Sequence, residues 1–316
     1  MNFYKSAQRA PLSEGRWHFQ HGPIDIVIGA HGQPAAVQQA HQAAWQRFET
    51  VLEELAGELP MLRQAIEQDT LLTGARNALK GTVARRMWSA CAPYRAGFIT
   101  PMGAVAGSVA QELIASYARA GVERAWVNNG GDIALHLTPG QSLRIGLFAD
   151  LAHLDAALND VFGNSEGADG TEGLATDAQC EVGFDMPVRG IATSGWRGRS
   201  FSMGIADSVT VLAKTAAMAD AAATVIANAV NLVHPGIVRR RACDIRDDSD
   251  LGGRLVTVDV PCLRSDEAHQ ALAAGQRKAD SLAQCGLIES AVLVCQGQFI
   301  QAGHMGRNLF QYSLSS

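Results

Sequence analysis

Apolar and polar positions alternate with the period of a strand over residues 17–20 and 24–30, and His21-Gly22-Pro23 between them reads as the turn of an opening hairpin. From residue 34 the period lengthens to that of a helix. Residues 34–55 are rich in Ala, Gln, Glu and Leu, and Pro34 fits a first-turn position. Gly57 and Pro60 are expected to end this helix, with a second one following over residues 61–79. A glycine-punctuated turn over 94–103 then leads into a small-residue helix over 104–120. Its first turn contains Gly103, Ala104, Ala106, Gly107 and Ser108, so its backbone can lie close to another element or to a ligand. Residues 123–127 and 133–137 read as a hairpin joined by Asn128-Asn129-Gly130-Gly131-Asp132.

The second half repeats the theme, with strands at 188–192 and 207–212, an Ala-rich helix at 216–231 and a strand at 254–260. A helix at 266–282 and a closing hairpin at 290–302, with Gly297 at its turn, follow. Residues 155–179, rich in Asp, Gly and Asn, read as a long connection and as the insertion point between two lobes. Because so many strands are joined by short turns, the pattern predicts an α+β fold and not a doubly wound parallel sheet.

Composition narrows the class. With 316 residues, 47% of them hydrophobic and 18% charged, the chain can bury a large core as one domain or as two intimately joined lobes, which excludes a disordered or fibrous protein. A net charge of -5 gives no electrostatic footprint for nucleic acid, and Arg239, Arg240 and Arg241 read as a solvated loop or helix end. The N-terminal residues lack the apolar run of a secretory signal, and no segment reaches the ~18 apolar residues of a membrane span, so a cytoplasmic protein is expected. The six cysteines contain no CxxC pair and are expected to be buried or partly buried thiols, neither a zinc site nor a disulfide framework. Neither a phosphate-binding P-loop nor a Rossmann fingerprint is present. The GxSxG match at 163–167 lacks the strand before and helix after that a nucleophile elbow needs.

The densest chemistry lies in residues 190–230. Thr193-Ser194-Gly195 offers two hydroxyls beside a glycine backbone, and Asp220 and Thr224, four apart, share a face of the Ala-rich helix. A carboxylate and a hydroxyl so placed suit a hard cation such as Mg²⁺. The flanking alanines leave Asp220 in an apolar surround that requires a partner, either a cation or a ligand hydroxyl. In the Asn128 to Asp132 turn, two consecutive glycines exceed the needs of a two-residue turn. They serve either the hairpin alone or a flat or phosphorylated ligand laid against backbone amides.

In this order, GAVAG at 103–107, NNGGDI at 128–133, IATSG at 191–195 and SVTVLAKTAAMADAAAT at 208–224 resemble the ApbE family of FAD:protein FMN transferases, and more closely an uncharacterised subfamily related to it. The resemblance implies a T-fold-like α+β protein of two entwined lobes, with a flavin nucleotide, FAD or a relative, held between them. It further implies that Asp220, Thr224 and a backbone carbonyl near Gly103 hold Mg²⁺. Gly130, Gly131, Asp132, Thr193, Ser194 and Gly195 would line the nucleotide. Two positions depart from the family pattern. Ala106 stands where the family carries a lysine, and residues 200–207, SFSMGIAD, replace a segment with a histidine and a proline, which leaves Asp207 as the group to recruit for proton transfer. Trp196, Arg197 and Arg199 in the altered stretch offer stacking and charge to a different ligand, or form a surface loop. Two functions follow from the resemblance: a Mg²⁺-dependent transferase passing FMN to a threonine of an acceptor protein, or a nucleotide- or metabolite-binding protein that keeps the fold without the catalysis. The Ala-rich helices also make a homodimer an expectation.

Overall fold

The computed structural model describes residues 6–67, 75–147, 178–304 and 310–312. Its strands in chain order are β1 (Gln8–Pro11), β2 (Trp17–His21), β3 (Ile24–Gly32), β4 (Val122–Asn129), β5 (Asp132–Leu137), β6 (Ser142–Leu147) and β7 (Ala178–Gly183). They continue with β8 (Gly190–Ser194), β9 (Ser208–Ala213), β10 (Val238–Arg241), β11 (Leu255–Asp259), β12 (Ser290–Cys295), β13 (Gln298–Gly303) and β14 (Phe310–Tyr312). The helices are α1 (Pro34–Leu62), α2 (Ala75–Ala78), α3 (Thr82–Cys91), α4 (Val105–Ile114), α5 (Ala216–Ala229), α6 (Ala242–Ile245) and α7 (Ser265–Gln284).

Nine strands pair antiparallel in the order β1-β2-β3-β4-β5-β8-β9-β12-β13, beside a three-stranded sheet β14-β7-β6 and a two-stranded ribbon β10-β11. Neighbouring residues of the central strands belong to different cores. Ala134, Val211 and Leu293 pack with Phe48, Val109, Ile226 and Leu272 of the helices, whereas Leu135, Leu212 and Val292 pack with Ile145 of β6 and Val182 of β7. Both faces of the sheet are therefore covered, one by helices and one by the small sheet. That is why β9 (SVTVLA) and β12 (SAVLVC) are buried at every position and do not alternate with solvent-facing residues. The architecture is α+β, as the alternation of short turns and helices predicts.

The structure departs from the sequence pattern at several elements. Helix α1 runs through Gly57 and Pro60 to Leu62, because Ala40, Ala44, Phe48, Val51, Leu52, Leu55 and Leu62 form one buried face along it. Each large apolar side chain so buried contributes about 1.5–3 kcal/mol. Pro60, in the last turn, costs about 3 kcal/mol, which the combined burial of that face outweighs. No second helix spans 61–79 among the described residues; α2 and α3 follow instead, and residues 68–74 lie outside them. The triplet Arg239, Arg240 and Arg241 is strand β10, paired with β11, and not a loop or helix end. Of the expected connection at 155–179, residues 155–177 lie outside the described residues, as does the match at 163–167, while Ala178 and Gln179 open β7. All six cysteines are free, but Cys262 and Cys285 are exposed where burial was expected. Among the described residues no helix is long and apolar enough to cross a membrane.

Helices α4 and α5 together fix the position of Asp220. Thr215 caps α5 by accepting the Met218 amide at 3.3 Å. Next to it, Ala216, Ala217 and Ala219 to Ala223, Asp220 apart, are all buried. The two helices meet so closely at Gly107 that a Cβ there would lie 2.3 Å from the carbonyl oxygen of Ala216. Only glycine fits this crossing, and the crossing brings Asp220 to the first turn of α4.

Candidate functional site

A cavity of about 330 Å³ lies where the start of α4, the β4–β5 turn, the end of β8 and the middle of α5 converge. It gathers Gly103, Gly130, Asp132, Thr193, Ser194, Gly195, Asp220 and Thr224, all of them singled out from sequence on four separate segments.

Asp220 and Thr224 lie one turn apart on α5. The Asp220 carboxylate accepts the Gly107 amide at 2.9 Å, and the Thr224 hydroxyl donates to the Gly103 carbonyl at 3.5 Å. The partner that the alanine surround demands is thus supplied from within the protein by the unpaired amides of the α4 N-terminus, which no inspection of α5 alone would reveal. Burial still raises the Asp220 carboxyl well above its ordinary range, against the pull of the Gly107 and Ala106 amides.

Asp132 opens β5, is 8% exposed, and accepts the Thr193 amide at 3.3 Å. Burial and then the charge of Asp220 hold its carboxyl far above the ordinary range, while Arg199 acts in the opposite sense. Asn129 ties the same turn to α4 by donating to the Ala106 carbonyl at 3.1 Å, and the Thr193 and Thr210 hydroxyls are 2.9 Å apart. The β4–β5 turn uses both of its glycines, with φ of +64° at Gly130 and +106° at Gly131. Left-handed backbone at both central positions is what a type I′ hairpin requires, so the turn itself accounts for the pair.

Two residues chosen from sequence stand apart from the cavity lining. Gly131 follows Gly130 in the turn but does not line the space. Asp207 is 8% exposed and does not line it either. Its carboxylate accepts the Trp196 indole N–H at 3.2 Å and the backbone amide of Gln296, with Arg197 3.8 Å away. These bonds fasten the loop after β8 to the β12–β13 turn.

The cavity also includes residues that sequence did not assign to it. Arg246, Asp248, Ser249, Asp250 and Leu251 form one side, together with Arg63 from the end of α1. The segment is held by Thr100 donating to Asp250 at 2.5 Å and by Arg63 paired with Asp248 at 2.9 Å. In sequence this charged, glycine-ended run reads as an ordinary surface loop, and only its contacts with Thr100 and Arg63 mark it.

The donors that converge on one side are all oxygens: the carboxylates of Asp220 and Asp132, the Thr224 hydroxyl and the Gly103 carbonyl. Such a set fits a hard cation, and Mg²⁺ in particular completes its shell with water and substrate phosphate. Among the described residues no group of three or more His, Cys, Asp or Glu is placed to hold a metal ion, so a cation here would rest on two carboxylates and neutral oxygens.

Known proteins share this sequence pattern. The chain is 33% identical over 168 residues to a UPF0280 protein of Methanopyrus kandleri, covering 52% of this chain and 56% of that relative, so the match spans about half of the relative's length. To a UPF0280 protein of Methanosarcina acetivorans it is 30% identical over 228 residues, covering 72% of this chain and 76% of the other. The crystal structure of the ApbE protein from Thermotoga maritima aligns with 95% of this chain and 97% of its own, at 13% identity and a TM-score of 0.42. The profile of the family described as AbpE bacteria matches residues 8–301, an interval that contains every residue of the cavity, and the chain belongs to that family.

Proposed function

We propose that the cavity binds FAD or a related flavin nucleotide together with Mg²⁺, and that the protein slowly passes FMN from it to a threonine of an acceptor protein. The observation that carries this reading is the pairing of Asp132 with Asp220 in a cavity that also contains arginines. Two buried carboxylates in one cavity, with the charge of Asp220 raising Asp132, call for a cation, and guanidinium groups in the same space suit the anionic part of a ligand. At about 330 Å³ the cavity falls at the lower end of the ~300–1,000 Å³ range of ligand sites.

Asp220, Thr224 and the Gly103 carbonyl would hold the ion, with Asp132 beside them. The chemistry Mg²⁺ supplies when bound is neutralisation of pyrophosphate charge. Gly130 and the Thr193-Ser194-Gly195 segment present backbone and hydroxyl groups to the nucleotide. In the transfer, a threonine oxygen forms a bond to the FMN phosphorus, the bond from that phosphorus to the AMP oxygen breaks, and the hydroxyl proton is released.

A second reading, a binding protein that retains the nucleotide without transferring it, is favoured by Asp207. The one carboxylate that sequence offered for proton transfer is engaged with Trp196 and Gln296 and does not line the cavity. Calorimetric titration with FAD in Mg²⁺ and in EDTA tests the common part of both readings. Binding that is absent, or equal in the two conditions, excludes both; acceptor flavinylation with AMP release separates them.

A further inference from the structure

Resting on the reading of the cavity as a phosphate-bearing nucleotide site, we infer that Arg199 is its anion clamp and receives the pyrophosphate oxygens on the Gly130 side. The observation is a contact. Arg199, in the loop between β8 and β9, lines the cavity, and its guanidinium presses on the β4–β5 turn so closely that a Cβ at position 130 would lie 1.6 Å from Nη2. Gly130, at φ +64°, is therefore needed twice: for the left-handed turn and for the space the guanidinium occupies.

The other arginines of the cavity already have partners along its wall. Arg63 is paired with Asp248 at 2.9 Å, and Arg246 lies over the Phe201 ring at 5.1 Å. Among the described residues Arg199 forms neither an ion pair nor a ring contact, although its charge reaches Asp132. It is an exposed residue at the cavity edge, so N–H donors of its guanidinium away from Gly130 are open to a ligand. Ala106, at the opening turn of α4, lines the same space without a charge.

The two poles fit one ligand chemistry. The oxygen donors on α5 and β5 suit a divalent cation, and a planar fork beside them suits non-bridging phosphate oxygens, which a guanidinium binds in pairs. A cation-bound pyrophosphate presents both features at once: it neutralises Asp132 and Asp220 through the ion and offers oxygens to Arg199. A bare flavin ring offers neither.

The test titrates the intact protein with inorganic pyrophosphate in excess Mg²⁺, with FAD and riboflavin in parallel, at fixed ionic strength. In R199Q, pyrophosphate and FAD should each bind about tenfold or more weakly, R199K should recover part of that loss, and riboflavin should be unaffected. Gly130→Ala, which displaces the guanidinium, should weaken pyrophosphate in the same direction. Melting temperatures measured alongside establish that the variants are folded, and Arg199 lies in an exposed loop where substitution is mild. Pyrophosphate binding unchanged in R199Q overturns the clamp, and so does a parent protein that binds no pyrophosphate. If pyrophosphate binds through Arg199 while FAD does not bind, the clamp stands and the flavin reading falls.

Discussion

The charge of Asp220 pushes the buried Asp132 carboxyl further from its ordinary range than burial alone, and both side chains line one cavity. Such a pair opposes folding at neutral pH unless something positive stands between its members. Asp220 also accepts the Gly107 amide at 2.9 Å, which makes it a helix-capping group as well as a cavity carboxylate. Substitution can separate these roles.

In Asp220→Asn one oxygen remains for the Gly107 amide, while the repulsion with Asp132 disappears. The melting temperature in EDTA should stay level or rise, and the Mg²⁺-dependent part of FAD binding should vanish. Asp220→Ala, which removes the acceptor as well, should cost about 1 kcal/mol more. Thermal unfolding with and without MgCl₂ reads both effects. Mg²⁺-dependence that survives in Asp220→Asn would reduce Asp220 to a helix cap.

The crossing of α4 and α5 gives a packing prediction. A methyl group in Gly107→Ala would meet the Ala216 carbonyl at 2.3 Å and the Asp220 Cβ at 2.8 Å. Backbone cannot yield there without moving a helix, so the variant should lose about 1–3 kcal/mol in urea unfolding and lose ligand binding with it. Gly57→Ala is the matched control. Gly57 lies within α1, and a methyl group added there would have nothing within 4 Å of it, so alanine should stabilise by about 0.5–1 kcal/mol. Equal effects at the two positions would contradict the packing account.

The α+β class was legible in the sequence, and so were several of the residues that line the cavity. Gly130, Asp132, Thr193, Asp220 and Thr224 were legible because turn glycines and an i,i+4 pair on an alanine helix carry local signals. Strands β9 and β12 were legible as apolar runs, but that both sheet faces are covered was not, since β6 and β7 give no strong periodicity. The partner of Asp220 was hidden because it is a backbone amide from another helix, and amides have no residue signature. Pro60 misled for a related reason: a local cost in the last turn of α1 is outweighed by a buried face that only tertiary packing creates. Asp207 drew attention as a carboxylate in the right segment, and its engagement with Gln296 depends on a hairpin far along the chain.

A buried histidine predicts the acid limb of stability. His41 is 7% exposed, its Nδ1 is 2.7 Å from the Tyr117 hydroxyl, and burial pushes its pKa from 6.5 down to about 4. The unfolded chain therefore takes up a proton that the folded protein refuses between those values. This stability is present in full above pH 6.5 and is lost as the pH falls toward 4, by about 3 kcal/mol in total. Urea unfolding at a series of pH values should show that slope, and His41→Phe should flatten it in this window. An unchanged slope in the variant would assign the acid sensitivity to other groups.

Transfer chemistry is where the fold and its residues diverge. Ala106 brings no charge to the cavity, residues 200–207 bring no histidine, and the carboxylate of Asp207 is held by Trp196 and Gln296. Positioned charge and proton transfer each contribute roughly 10²-fold or more to rate. FMN transfer to a threonine-containing acceptor peptide, followed by AMP release, should therefore be slower than in a standard ApbE transferase by at least that factor, even where FAD binds tightly. Asp207→Ala leaves the Gln296 amide and the Trp196 indole without an acceptor, so it should cost about 2–4 kcal/mol of stability while FAD affinity in Mg²⁺ stays within about twofold. Ala106→Lys restores a cation at the first turn of α4 and should raise the transfer rate if charge is what limits it. Rapid flavinylation by the unmodified protein, abolished in Asp207→Asn with binding intact, would instead return Asp207 to the chemistry and show that its bonds to Trp196 and Gln296 open during turnover.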